Sequence, residues 1–209
     1  MEEKAKEFKS ALLSLDRIAV HTILSKQLKL SGNIPFIENI LVPTLESIGF
    51  EWEKGILSLS QLYMSSRICE ELIDEIITTK EKGGHHKTPL AIVTVNDYHT
   101  LGKRIVYSML RAAGYNISDY GRIMAAEELK ERIKNDQIQI LLISVLMLPS
   151  ALSIEKVSED LKGLFPDLKF IVGGAPFRFD KNLWKEINVD AVATNSSEIF
   201  KLLSKMGIT

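Results

Sequence analysis

After Pro89 the chain stops reading as helix and becomes a series of short apolar runs, "LAIVTV", "YNISDY", "IQILLIS", "LKFIVGG" and "VDAVAT", separated by helical stretches. A run such as "ILLISV" does not alternate between apolar and polar positions, so its strand suits burial on both faces. A parallel sheet covered on each side by helices satisfies that demand. Five strands alternating with five helices therefore predict an α/β domain of the doubly wound, Rossmann-like kind with flavodoxin-like strand order. The closing helix carries Asn195 followed by Glu198, the spacing of a capping box.

The chain before this point has a different period. Phe8, Leu12, Leu13 and Leu15, then Ile18, Ile23, Leu24 and Leu28, recur at three- and four-residue spacing. Asp16 is placed to cap the second of these helices. "SGN" at 31–33 ends it, Pro35 suits the first turn of a third, and an amphipathic stretch from Ser58 to Lys80 makes a fourth. A four-helix bundle over residues 1–82 is expected. "KEKGGHHKTP" follows, with the composition of a linker, assigned to residues 83–89, and the α/β domain occupies 90–209. His85 and His86 sit in that linker, where adjacent histidines are far more often solvated polar residues than metal ligands.

Charge and cysteine content narrow the partners. The net charge is −1, so no broad basic surface invites nucleic acid or an anionic membrane. The lone cysteine, Cys69, has no internal partner, which fits a reducing compartment. "MEEKAKEFKS" lacks the apolar core of a signal peptide, and "IQILLISVLML" is too short to cross a bilayer. A cytoplasmic protein is expected.

In a doubly wound sheet, ligands bind outside the carboxyl ends of the strands, near the point where strand order reverses. Strand one ends in Asp97, His99 and Gly102; strand three in Ser144, Val145 and Leu146; strand four in Gly173 and Gly174. An imidazole that binds a metal through one nitrogen usually gives its other N–H to a carboxylate, and Asp97 is placed to take it. Ser144, on a neighbouring strand, is expected to hydrogen-bond Asp97 in turn. The glycines remove side chains where a bulky ligand would press on the backbone. No second His or Cys lies nearby, which argues against a bare zinc site. A metal already held in an organic ring needs only one protein ligand. Each feature alone also has a plainer reading. Asp97 could cap the helix beginning near Leu101, Ser144 could satisfy backbone at a strand end, and the glycines could mark a tight turn. Lys103 and Arg104 read as solvated charges in a first helical turn.

Taken in order, Asp97-x-His99-x-x-Gly102, Ser144-x-Leu146 and Gly173-Gly174 resemble the cobalamin-binding domain of corrinoid proteins and methionine synthase. "LVPTLESIGFEWEKGILSLSQLYMSSR" is similar to the helical cap that precedes that domain in methyl-transfer members. The resemblance implies a cobalamin cofactor whose lower base leaves the cobalt and whose nucleotide tail threads into a cleft of the sheet. His99 would take the lower axial position as the metal ligand, and Ser144, Leu146, Gly173 and Gly174 would line the cleft. Asn96 stands where many relatives have Gly, and Leu148 where many have Thr. The resemblance further implies a corrinoid carrier that shuttles a methyl group in one-carbon metabolism, a subunit of a methyltransferase system and not a complete enzyme. Its partners would be a substrate-specific methyltransferase, a methyl-acceptor methyltransferase and a reductive activase. A cobalamin sensor or storage protein is the alternative. The absence of a basic recognition helix ahead of the bundle argues against DNA binding.

Overall fold

The computed structural model describes residues 2–78, 86–123 and 126–208, in two compact units, Met1–Glu81 and Lys82–Thr209. The first is helical: α1 (Glu2–Leu13), α2 (Arg17–Ser31), α3 (Asn33–Phe36), a π-helical turn (Ile37–Leu41), α4 (Val42–Glu53) and α5 (Leu59–Thr78). Asp16 caps α2 through Ala19 N–H, at 2.9 Å. Helical backbone runs unbroken from α3 through the π turn into α4, so the unit is a four-helix bundle. The π turn has a local cause. Pro43 has no N–H for the Asn39 carbonyl, and widening the preceding turn, where Val42 N–H reaches back to Ile37, relieves the clash. Phe8, Phe36, Ile37, Leu41, Ile48, Ile68, Leu72 and Ile73 fill the core. Cys69 lies among them, and burial pushes its thiol up to about 12, which leaves it unreactive. Leu57, Leu62 and Met64 are half-buried.

The second unit is the α/β domain. Its strands are β1 (Leu90–Val95), β2 (Ile117–Ile123), β3 (Ile140–Ser144), β4 (Lys169–Gly173) and β5 (Ala191–Ala193). They form one parallel sheet in the order β2-β1-β3-β4-β5, the flavodoxin-like order expected from the sequence. Between them run α6 (Leu101–Ala112), α7 (Ala126–Asp136), α8 (Leu148–Leu164), α9 (Ala175–Phe179) and α10 (Leu183–Glu186), with α11 (Glu198–Lys205) last. One sheet face packs Ala91, Val93, Leu141, Ile143, Phe170 and Val172 against α7 and α8. The other packs Leu90, Ile92, Leu142 and Ile171 against α6 and α11.

Asn195 Oδ1 accepts the Glu198 N–H at 3.0 Å, and the Glu198 carboxylate accepts the Thr194 N–H at 2.7 Å, so α11 starts as its spacing predicts. The paired glycines of the linker and His85 lie outside the described residues. His86 stacks on Tyr115 with ring centroids 4.1 Å apart. Among the described residues no cluster of three His, Cys, Asp or Glu side chains could hold a metal ion, and no helix is long and apolar enough to cross a membrane.

Candidate functional site

All seven residues singled out in the sequence lie at or just beyond the carboxyl ends of β1, β3 and β4, three adjacent strands. The site starts with a buried acid. Asp97 is 2% exposed, and its carboxylate takes four hydrogen bonds. Oδ1 accepts the His99 backbone N–H at 2.9 Å and the His99 ring Nδ1–H at 2.7 Å. Oδ2 accepts the N–H of Leu146 at 2.7 Å and of Met147 at 3.0 Å. These last two amides lead into α8, so the carboxylate meets the positive end of a helix that starts about fifty residues later in the chain. The bonds also cross between β1 and β3, where strand order reverses.

Burial pushes the Asp97 carboxyl up, but the N–H groups of His99 and Met147, the His99 ring and Leu146 N–H together outweigh it and hold it below its usual value of 3.8. A carboxylate depressed in the folded state stabilises the fold above about pH 4, and that stability is lost as the pH falls through the folded value. Asp97→Asn should therefore cost about 1–3 kcal/mol at neutral pH, because an amide cannot accept from all four donors. Urea titrations should show this deficit shrinking below about pH 4 as the wild-type carboxylate protonates.

The carboxylate fixes the imidazole. An ionised acid only accepts, so Nδ1 carries the proton and neutral His99 keeps its lone pair on Nε2. The His99 side chain is 52% exposed, so this ring is half-exposed and held by a buried acid. The segments that follow β1, β3 and β4 expose Tyr98, Leu146, Met147, Leu148 and Phe179. Exposed apolar side chains at the strand ends suit a binding surface.

The expected bond from Ser144 to Asp97 is absent: the backbone amides of Leu146 and Met147 occupy that side of the carboxylate. Ser144 pairs instead with Gly173 in the β3–β4 register. A Cβ on Gly102 would come within 3.1 Å of the Ser144 hydroxyl. Gly174 sits at φ +127, and a Cβ there would lie 1.7 Å from the Val145 carbonyl oxygen. Asp97 does not cap its own helix, since the residue at the start of α6 is Thr100, with no side-chain cap.

Three features escaped the sequence reading. Lys103 is not solvated but 3% exposed, paired with both Asp119 carboxylate oxygens, and ties α6 to β2. Asn96 has φ +49, a left-handed conformation that Asn and Gly adopt more readily than other residues. Its carbonyl accepts the Ser150 hydroxyl at 2.7 Å and its amide donates to Ser153 at 3.1 Å, which fixes the β1 loop to α8. Thr94 is fully buried on β1, and its hydroxyl has no hydrogen-bond partner among the described residues. Its signal was a polar residue inside the otherwise apolar "LAIVTV".

The α/β unit matches the B12 binding domain family over residues 87–203, and a second B12 binding domain family matches residues 4–77. The chain belongs to the B12-binding corrinoid proteins. It is 30% identical over 203 residues to dimethylamine corrinoid protein 1 of Methanosarcina mazei, across 94% of this chain and 93% of that one. Dimethylamine corrinoid protein 2 of the same organism is likewise 30% identical over 94% of each chain. The solved Methanosarcina barkeri monomethylamine corrinoid protein superposes with a TM-score of 0.79 at 25% identity, covering 98% of this chain and 99% of that one. The cofactor of this corrinoid-binding protein is cobalamin or a related corrinoid.

The residues present fit such a group. A corrin ring supplies four of the cobalt's ligands, so a single imidazole presented to solvent, such as that of His99, could serve as one more. The exposed Tyr98, Leu146 and Met147 of the Asp97–His99 site suit a broad, largely apolar ring.

Proposed function

We propose that this protein is a corrinoid carrier. It holds cobalamin with the cofactor's own base displaced, His99 Nε2 on the cobalt, and the nucleotide tail among Gly102, Ser144, Leu146, Gly173 and Gly174. It carries a methyl group between a substrate-specific methyltransferase and a methyl-acceptor methyltransferase, and a reductive activase restores it after oxidation. When bound, the corrinoid supplies the methyl-carrying metal centre. The chain's own residues bind and tune it. Asp97 fixes the tautomer and strengthens the donor nitrogen, the α8 amides hold Asp97 ionised, and the apolar loops keep water off the ring.

The observation that carries this reading is the His99–Asp97 pair: a buried, ionised acid that leaves one imidazole nitrogen outward at the strand-order reversal. The names of the relatives, dimethylamine and monomethylamine corrinoid proteins, support methylamines as the methyl source. A solved relative at 20% identity, a methanol:cobalamin methyltransferase complex, supports only the shared fold, with a TM-score of 0.53.

The purified chain should bind cobalamin one to one and keep it through gel filtration. With a methylamine methyltransferase and reducing conditions, labelled methyl should pass from the amine to the protein-bound cofactor and on to an acceptor thiol when the second enzyme is added. Stable binding without labelled methyl uptake from any methylamine or methanol partner would reduce the role to storage or sensing.

A further inference from the structure

The segment that carries His99 is short, residues 96–100, between the end of β1 and the start of α6. Two neighbouring residues fasten it to the start of α8. Asp97 takes the N–H groups of Leu146 and Met147, just ahead of that helix. Asn96 is held twice, further along it: its carbonyl accepts the Ser150 hydroxyl at 2.7 Å, and its Nδ2 donates to Ser153 Oγ at 3.1 Å. The direction of this last bond follows from its neighbour, since Ser153 gives its own proton to the Ser150 carbonyl at 2.8 Å. Asn96 also stands at φ +49, where glycine is the easiest occupant. Glycine would meet that backbone demand and leave the joint free to turn. Asparagine meets it with a side chain that reaches α8.

We propose that Asn96 is a positioning residue whose side chain clamps the His99 segment to α8 and so holds the imidazole in one place. This rests on the carrier reading above, in which His99 Nε2 binds the cobalt. Asn96 acts through the backbone of Asp97, whose carboxylate orients the ring. An imidazole already held in place gives up little freedom on binding a metal, so its bond is stronger than that of a ring that must first be ordered. Without the clamp the segment can turn about its left-handed joint, and each turn that carries His99 away competes with ligation. Asn96 is exposed and Ser153 half-buried, so the bond adds little to the stability of the whole domain; its effect is local.

The test uses three variants. Asn96→Gly keeps the backbone conformation and loses the clamp, Ser153→Ala removes the acceptor from α8 and leaves the segment itself intact, and the third combines both. In cofactor-free protein, hydrogen exchange at the His99 N–H should quicken about two- to tenfold in either single variant, the worth of one ordinary hydrogen bond. Loaded with cobalamin, either should raise the Co(II)/Co(I) midpoint potential by about 20–60 mV, the same two- to tenfold weaker hold of His99 on Co(II) converted at 59 mV per decade. Adding Ser153→Ala to Asn96→Gly should shift the potential no further, because both changes remove one bond. A hydrogen bond that served folding alone would leave the potential unchanged. Unaltered exchange or an unaltered potential in either single variant, or a further shift in the double, would each overturn the proposal and leave the carrier reading standing. Wild-type protein that binds no cobalamin, or whose Co(II) nitrogen splitting is indifferent to nitrogen-15 histidine, would instead overturn the carrier reading itself and the proposal with it.

Discussion

Gly174→Ala should be the most damaging single-methyl change in the α/β unit. At φ +127 and ψ −179 the residue occupies backbone space that an L side chain rarely enters. The added carbon would lie 1.7 Å from the Val145 carbonyl oxygen and 2.8 Å from its carbon. Both are backbone atoms, so no rotamer change relieves the clash. Val145 cannot easily retreat either, because its N–H donates to the Gly173 carbonyl at 3.1 Å and locks the ends of β3 and β4 together. Strain and overpacking together should cost about 3 kcal/mol or more, a large fraction of the roughly 5–15 kcal/mol of a typical domain. Gly163→Ala is the matched control. It lies in α8 with nothing within 4 Å of the added carbon, so it should be neutral or stabilising by up to about 1 kcal/mol. Guanidinium unfolding of the two variants decides the matter, and equal stability would show that the β3–β4 ends are not closely packed.

That result bears on what a glycine pair means. In sequence alone, Gly173 and Gly174 fit ligand clearance, with a tight turn as the plainer choice. Gly174 is required by backbone packing before any ligand arrives, and the same packing shapes the strand end on which a ligand would rest. The two explanations are not rivals at this position.

The parallel sheet was legible because β1 and β3, buried on both faces, leave nearly continuous apolar runs. The edge strand β2 was harder. Its buried residues, Ile117, Tyr120 and Ile123, fall three apart, and Gly121 at φ +69 accompanies a register shift against β1; the strand runs to Ile123 and not to Tyr120. The His99–Asp97 pair was legible from spacing alone, since both groups sit in one loop. Contacts made across the sheet were not. No local pattern says that the start of α8 fills Asp97 in place of Ser144, or that Lys103 turns inward to Asp119. Charges in a first helical turn usually do point to water, and only the neighbouring strand overrides that tendency.

His99→Ala should remove the protein's ligand to the cobalt and leave the fold intact, because half of the ring is exposed and its loss leaves Asp97 with three backbone donors. Mutating residues that merely support a metal ligand typically weakens metal binding about 10–100-fold, so loss of the ligand itself should reach or exceed the upper end of that range. The bound cofactor's absorption should shift to that of a form lacking a nitrogen donor. Asp97→Asn should keep the ligand but weaken the bond, a smaller shift in the same direction.

The central claim, that His99 replaces the cofactor's own base on the cobalt, is tested most directly by electron paramagnetic resonance of the Co(II) form. Protein grown with nitrogen-15 histidine and loaded with unlabelled cobalamin should show its nitrogen splitting change from a three-line to a two-line pattern, and His99→Ala should show no nitrogen splitting. A three-line pattern that survives both the labelling and the substitution would place the cofactor's own base on the cobalt and contradict the account.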